Sequence, residues 1–422
     1  MINICLYEDD KYHFLYPLTY AKPSYDLLIG FDTLFDKFKR FFNYANITLH
    51  CRDHLKPIER LKHSDFTVNQ INTGAPCLFI NGRTILTEQL FEIITNFEQD
   101  RDFVLTHKGQ VVAAYLSEKN LDFMKTSLEK TPNNQTLIQN LRSSCVFKEV
   151  DDALILNFAH DLIELNEKML LIDFNDRKQP GIIKGTINPF TIIYNENNVF
   201  VDKGTFIEDF VVLNAEQGPI YIEKNVYIES GTRLEGPLFI GQNSKILGGK
   251  IKTSTIGNHC KVSGEVSQSI FFHFSNKAHS GFVGHSYLGE WANLGAGTTT
   301  SNLKNTYGPI KVDSHNGTIN TQKIFLGAIL GDHVKTGIGT LLTAGTNIGF
   351  GSNIVGPAIH NKFVPPFSWG EANNYQPYRM DQFLKTAKRA MLRRNVKLRS
   401  EHTELFESSK KINKPFYDTP KS

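Results

Sequence analysis

Aliphatic residues recur every six positions through the second half of the chain. Ile222, Ile228, Leu234, Ile240 and Ile246 keep the spacing without a slip, Leu288 and Leu294 repeat it, and Leu330, Leu342, Ile348 and Ile354 hold it again with Thr336 in the missing slot. Glycine commonly follows, as at Gly241, Gly289, Gly295, Gly331 and Gly349. An α-helical stripe recurs near 3.6 residues and a half-buried hairpin strand alternates with period two, so neither produces this pattern. A period of six fits short strands that each send one aliphatic residue inward and then turn a corner. Three such strands close a triangular coil, and stacked coils bury a continuous column. The pattern predicts a parallel β-helix from about Tyr221 to about Val355.

The period disappears between Thr300 and Ile324, where Ser301-Asn302-Leu303-Lys304-Asn305 opens a loop ejected from the coil, and it breaks more briefly near Gly248–Ser254. Residues 1–155 read differently. Short apolar runs (Ile2–Tyr7, Cys77–Ile80, Phe103–Leu105) alternate with helical-looking segments (Leu27–Phe42, Glu88–Phe97), which predicts an α/β domain with a partly parallel sheet. Residues 156–195 form the expected connector, with a helix around Asn157–Leu165, and 196–370 the all-β coil domain. Residues 371–422 are a tail whose Phe383, Leu384, Ala387, Met391 and Leu392 mark one face of a helix. Lys385, Lys388, Arg389, Arg393, Arg394, Lys397 and Arg399 make its other face basic. That face is either solvated or turned toward the phosphates of a ligand such as coenzyme A.

The composition is that of an ordinary globular protein, and a formal net charge of +3 gives no reason to expect a nucleic-acid partner. The acidic turn after Leu6 is unlike a signal peptide, and no apolar run approaches the roughly 20 residues of a membrane span. Cys5, Cys51, Cys77, Cys145 and Cys260 are scattered and odd in number, without zinc-site spacing. A cytoplasmic chain with reduced thiols, no membrane partner and small-molecule ligands is the expectation.

The densest polar constellation runs from Asn276 to His285 and on to Trp291–Thr298. Acyl transfer from a thioester to an amine needs a base for the amine proton and donors for the oxyanion. His273, His279 and His285 lie six apart and so fall on three successive corners, turned about 120° from one another. They do not converge on one ion within a subunit, and composition does not choose among them.

From Val211 to Trp369 the chain resembles a variant family of bifunctional sugar nucleotidyltransferases/acetyltransferases related to GlmU. The matching segments are Val212–Ile222, Asn276-Lys277-Ala278-His279, Ser301–Asn305, Gly331-Asp332-His333 and Pro366-Phe367-Ser368-Trp369-Gly370, with Pro17-Leu18-Thr19-Tyr20-Ala21-Lys22-Pro23 resembling the family's opening motif. The resemblance implies a left-handed β-helix, a homotrimer with shared sites, and His279 as the base that deprotonates glucosamine-1-phosphate for attack on acetyl-CoA. It implies substrate-binding roles for Asn293, Asn302, Lys304, Lys277, Phe282 and Glu265. Phe282 replaces a tyrosine, Lys304 or Lys311 takes the place of a loop lysine, and Ser267 replaces a lysine for which Lys261 or Lys277 would compensate.

In the N-terminal half the resemblance places nucleotide binding at Thr19, Lys22, Asn81 and Arg83, with Mg²⁺ as cofactor. The glycine-rich phosphate loop is missing, because Leu6 is followed by Glu8, Asp9 and Asp10. Lys22 and Leu28 stand where relatives carry arginine, and Asn81 where the wider fold often places a metal-binding aspartate. The leading expectation is a bifunctional enzyme that acetylates glucosamine-1-phosphate and transfers uridylyl from UTP to the product, giving UDP-N-acetylglucosamine. The alternatives are a nucleotidyltransferase for another sugar-1-phosphate such as glucose-1-phosphate, or a non-catalytic nucleotide-sugar-binding regulatory or scaffold subunit.

Overall fold

The computed structural model describes residues 3–43, 45–71, 74–96, 101–372 and 374–412. The N-terminal sheet has seven strands: β1 (Asn3–Tyr7), β2 (Asn46–His50), β3 (Thr67–Val68), β4 (Cys77–Asn81), β5 (Phe103–His107), β6 (Gln110–Leu116) and β7 (Val146–Glu149). Their order is β7–β5–β6–β4–β1–β2–β3, and only β6 runs antiparallel to its neighbours, β4 and β5. Helices α1 (Leu34–Phe41), α2 (Lys56–Lys62), α3 (Glu88–Thr95), α4 (Glu118–Leu128) and α5 (Asn134–Leu141) complete the α/β unit. The expected helix at Leu27–Phe42 is half realised. Leu28–Ile29 and Asp32–Thr33 make a tight hairpin around Gly30, whose φ of +63° favours glycine, and α1 starts only after Thr33 caps it through Asp36 N–H. The connector helix, α6, spans Asp161–Arg177 rather than Asn157–Leu165. Asp161 Oδ2 accepts from the N–H groups of Asn157 and Phe158, folding the expected first turn back as a loop.

From Thr186 onward the chain coils with three faces. Face A stacks Val199–Val201, Ile220–Ile222, Leu238–Ile240, Thr255–Ile256, Ile270–Phe271, Tyr287–Leu288, Ile329–Leu330, Asn347–Ile348 and Phe363–Val364 in parallel register. Face B carries Phe206, Tyr227, Lys245, Lys261, Asn276, Asn293, Lys335, Asn353 and Trp369 outward, and face C carries Val212, Arg233, Lys250, Glu265 and Phe282 outward. The inward residues of face A, among them Ile222, Ile240, Ile256, Phe271, Leu288, Leu330, Ile348 and Val364, are all fully buried. Each buried aliphatic side chain of this size contributes about 1.5–3 kcal/mol, which is why the six-residue period is so strictly kept. The loop after Thr300 folds as an antiparallel hairpin (Lys311–Ser314 with Gly317–Asn320) before the coil resumes at Ile329.

Face A is covered by the N-terminal domain. Phe31, at the hairpin tip, stacks on Phe239 and packs against Tyr221. Tyr287 Oη accepts from Leu28 N–H and donates to Leu28 O, both at 3.2 Å, and Thr255 Oγ1 donates to Gly30 O at 2.8 Å. The tail forms two helices, α7 (Met380–Leu392) and α8 (Ser400–Ile412). Phe383, Ala387 and Met391 anchor α7, while Phe406 of α8 joins Phe350 and Phe367 of the coil and Tyr20 of the N-terminal domain in one core. No helix among the described residues is long and apolar enough to cross a membrane.

Candidate active site

Between face B and α7 lies a cleft of about 470 Å³, lined by Lys261, Asn276, His279, Asn293, Lys335, Phe274, Trp291 and, from the tail, Arg389, Arg393 and Arg394. Five of these groups are cationic and none is a carboxylate. Their proximity registers electrostatically. Burial and then Arg394, Lys245 and Arg393 lower the Lys261 ammonium, and burial and then Arg393 lower the Arg394 guanidinium. Burial also brings Lys335 down to about 7, with its Nζ donating to Trp291 O. Arg394 Nη2 donates to Asn276 Oδ1 at 2.7 Å, tying the end of α7 across the cleft mouth. Trp291 stacks on Phe274 with ring centroids 4.1 Å apart, and Phe274 stacks on His259 on its other face, so the rings line the cleft as a ladder.

The three histidines do sit on three different corners, and their surroundings separate them. His273 accepts from Asn258 N–H through Nδ1 at 2.9 Å, and burial pushes it down to about 4. His285 is likewise lowered to about 4 by burial, receives the Asn302 amide at Nδ1 (2.8 Å), and stacks against Phe325. His279, at the corner between faces B and C, is exposed and its ring has no hydrogen-bond partner among the described residues. An unpartnered imidazole at the edge of a cleft is the arrangement a general base for an amine requires.

Of the substrate-binding candidates, Asn293 lines the same cleft, in register with Asn276 and Lys335. Lys277 does not reach it. Its side chain occupies the inward, normally aliphatic slot of the coil in register with Val262, and its Nζ donates to Ser263 O (2.8 Å) and His279 O (2.7 Å). Only 2 % of Lys277 is exposed and burial lowers its amine to about 8, so it holds the His279 corner from beneath and offers no cation to a ligand. Glu265 and Phe282 are register partners on face C, around the corner from the cleft. The Phe282 ring lies over Gly284, where a Cβ would come within 2.4 Å of it. Asn302 is engaged with His285, and Lys304 Nζ donates to Pro309 O within the ejected loop. Lys335 and Asn276 were not picked out by sequence as site residues. The loop between Thr300 and Ile329 hides that Lys335 is the next rung below Asn293.

The four nucleotide-binding candidates are all buried, and each is held by protein. Arg83 Nε and Nη2 grip Asp9 at 2.7 and 2.6 Å, while Nη2 also reaches Gln110 Oε1 and Nη1 donates to Leu156 O. Asn81 donates to Asp9 Oδ2 and Val111 O and accepts from Arg83 N–H. Thr19 Oγ1 donates to Tyr12 O. Lys22 leaves the domain altogether, pairing with Asp332 (3.0 Å) and Glu290 (3.6 Å) of the coil and lying over the Phe272 ring. Glu8 is matched in the same way by Arg52, at 2.8 Å. Glu8 and Asp9 at the end of β1 are therefore saturated by guanidinium, amide and backbone donors, and Asp10, whose Oδ2 takes the Asn133 amide, keeps a single oxygen, Oδ1, without a partner among the described residues. This donor set does not fit a divalent cation.

Fold and site together define a nucleotidyltransferase-type α/β domain joined to a parallel β-helix with C-terminal helices, a transferase architecture. Residues 4–179 match the family model for sugar nucleotidyl transferases. A bifunctional sugar-1-phosphate nucleotidylyltransferase/acetyltransferase of Sulfurisphaera tokodaii is 35 % identical over 107 residues, 25 % of this chain and 27 % of that protein. The bifunctional protein GlmU of Methanocaldococcus jannaschii is 34 % identical over 99 residues, 24 % of this chain and 23 % of its own. The chain thus spans about a quarter of the length of these curated relatives. A solved Arabidopsis UDP-N-acetylglucosamine acyltransferase aligns over 49 % of this chain and 82 % of its own at 12 % identity, with a TM-score of 0.29. Over these stretches the chain is similar to GlmU-like bifunctional transferases.

Proposed function

We propose that the chain is an N-acetyltransferase that acetylates the 2-amino group of glucosamine-1-phosphate with acetyl-CoA at the His279 cleft. The observation that carries this reading is the acid-free cleft itself, in which five cations surround one unpartnered histidine. A polyanionic ligand such as coenzyme A balances that charge. In the reaction the amine nitrogen attacks the thioester carbonyl while His279 takes the amine proton. The C–S bond then breaks and the thiolate leaves, taking up a proton to become free coenzyme A. Lys277, bonded to the His279 carbonyl, fixes the corner on which the base rides. Face C, left uncovered by either the N-terminal domain or the tail, is the surface on which we expect a homotrimer to form, bringing Glu265 and Phe282 next to a neighbour's site.

For the N-terminal domain the internal pairing of Arg83, Lys22 and Arg52 favours a second reading over uridylyl transfer. Here the domain keeps the transferase fold as a scaffold docked on face A. Thiol release from acetyl-CoA with glucosamine-1-phosphate tests the first reading. His279→Ala should lower kcat by roughly 10²–10⁴-fold, and an equal rate would remove the base assignment. Pyrophosphate release from UTP with N-acetylglucosamine-1-phosphate and Mg²⁺ tests the second. Turnover there would overturn the scaffold role and restore the bifunctional expectation.

A further inference from the structure

Away from the cleft, three potential ligand groups converge inside the N-terminal domain. Asp26 ends a short 3₁₀ turn (Ser24–Asp26), and Glu59 and His63 stand four residues apart at the end of α2, hence on one helix face. His63 Nε2 lies 3.1 Å from Asp26 Oδ1 and 3.7 Å from Glu59 Oε2, and one ligand atom from each of the three falls within 4.8 Å of the others. A tetrahedral ion with bonds of about 2.0–2.1 Å separates its ligand atoms by roughly 3.3–3.4 Å. The two measured edges bracket that value.

The surroundings point the same way. Glu59 is fully buried and its Oε1 has no hydrogen-bond partner among the described residues, an unmet acceptor in a place without solvent. The other polar groups sit where outer partners of a metal site belong. Lys62 Nζ contacts the far oxygen of Asp26 at 3.5 Å, and Tyr25 Oη donates to Glu59 Oε2 at 3.2 Å. The His63 side chain is 14 % exposed and that of Asp26 8 %, which gives the three an edge toward solvent. Two carboxylates and a neutral imidazole balance a dication, and the imidazole favours a transition ion of the zinc class over Mg²⁺.

We propose that Asp26, Glu59 and His63 form a divalent metal site that takes Zn²⁺, with a water as fourth ligand. It would clamp α2 to the Ser24–Asp26 turn, directly behind the Lys22 contact with the coil, and so stiffen the junction between the two domains. Its place in the N-terminal domain, none of whose residues lines the His279 cleft, makes it independent of the acetyl-transfer reading.

The test uses the full chain, stripped by chelator and titrated with Zn²⁺ against a chromophoric competitor. One equivalent should bind, Tm should rise on binding, and Co²⁺ in place of Zn²⁺ should give the intense visible absorption of a tetrahedral site. His63→Gln and Glu59→Gln should each weaken binding by at least roughly 100-fold. Absence of stoichiometric uptake by the wild type, full retention of uptake by His63→Gln, or a weak octahedral cobalt spectrum would each overturn the site. The wild-type cobalt spectrum decides the matter even where a variant does not fold. A protonated His63 bridging the two carboxylates is the arrangement that would then stand in its place.

Discussion

Two buried cations, Lys277 and Arg83, serve opposite ends. Lys277 occupies a slot that every neighbouring coil fills with an aliphatic residue, and its ammonium is held by two carbonyl groups. Burial lowers it from 10.5 to about 8, so between those values the unfolded chain binds a proton that the folded chain has lost. Stability therefore rises with pH through that window. Below about pH 8 both states are charged and the burial penalty is at its full size. The shift corresponds to roughly 3 kcal/mol. Urea melts of wild type and Lys277→Met should show the wild type gaining on the variant between pH 7 and pH 10, because Lys335 and the other buried bases titrate equally in both. At pH 7 the variant should match or exceed the wild-type Tm while losing about tenfold in kcat through a loosened His279 corner. A fall of several degrees would mean that the two hydrogen bonds outweigh the desolvation. Arg83 has no such latitude. It neutralises Asp9, and both are fully buried. Arg83→Ala strands that carboxylate and should cost about 3–5 kcal/mol of stability, read as a lowered urea midpoint. A phosphate-binding arginine on an open surface would instead lose ligand affinity at unchanged stability.

Among the elements, α7 is the one whose role depends on its partner. Its apolar face was readable from Phe383, Ala387 and Met391, but whether its basic face met water or a ligand was not. In the structure Lys261 and Lys335 of face B join Arg389, Arg393 and Arg394 around one cleft. Arg393→Ala with Arg389→Ala should raise the KM for acetyl-CoA about tenfold or more with kcat little changed. The wild-type KM should rise with salt, as screening predicts. Dephospho-coenzyme A thioesters compared with the full cofactor would show whether these arginines serve the 3′-phosphate. The coil was legible because each inward position repeats one environment, so period alone exposes it. The helix drawn through Leu27–Phe42 failed because Gly30 turns a hairpin whose purpose, docking on Tyr287 and Phe239, is set by residues more than two hundred positions away. The nucleotide motif misled in the same way. Thr19, Lys22, Asn81 and Arg83 carry suitable chemistry, but the groups that consume it, Asp9, Asp332 and backbone carbonyls, come together only in the folded chain. His279 was reached through resemblance, and the structure adds the physical distinction that its ring is exposed and unpartnered while His273 and His285 are engaged.

In the whole molecule, a three-faced coil has three surfaces to dispose of, and two are spoken for. The N-terminal domain covers face A with the aromatic cluster of Phe31, Phe174, Phe200, Tyr221 and Phe239, and α7 roofs part of face B. Face C and its edge keep large apolar side chains in the open: Ile192 is 50 % exposed, Leu341 42 %, Ile359 63 % and Ile338 76 %. Leu341 and Ile359 are register neighbours, so they present one patch rather than scattered residues. A triangular prism with an apolar patch at one end of its third face buries that patch economically by threefold association, since each copy meets two others through the same surface under a closed symmetry. His279 stands at the B/C corner, so such an assembly would carry Glu265 and Phe282 of one subunit toward the cleft of the next. That is where residues now split between two faces would act on a single ligand. Ile338→Asp with Ile359→Asp should convert a trimer, measured by light scattering after size exclusion, into monomer with each chain still folded by circular dichroism. If the site is shared, acetyl transfer should fall with the trimer and return on mixing with a catalytically dead His279→Ala partner that retains the patch only to the extent that mixed trimers form. A monomeric variant with full activity would show that each cleft is complete within one chain, and that face C serves assembly alone.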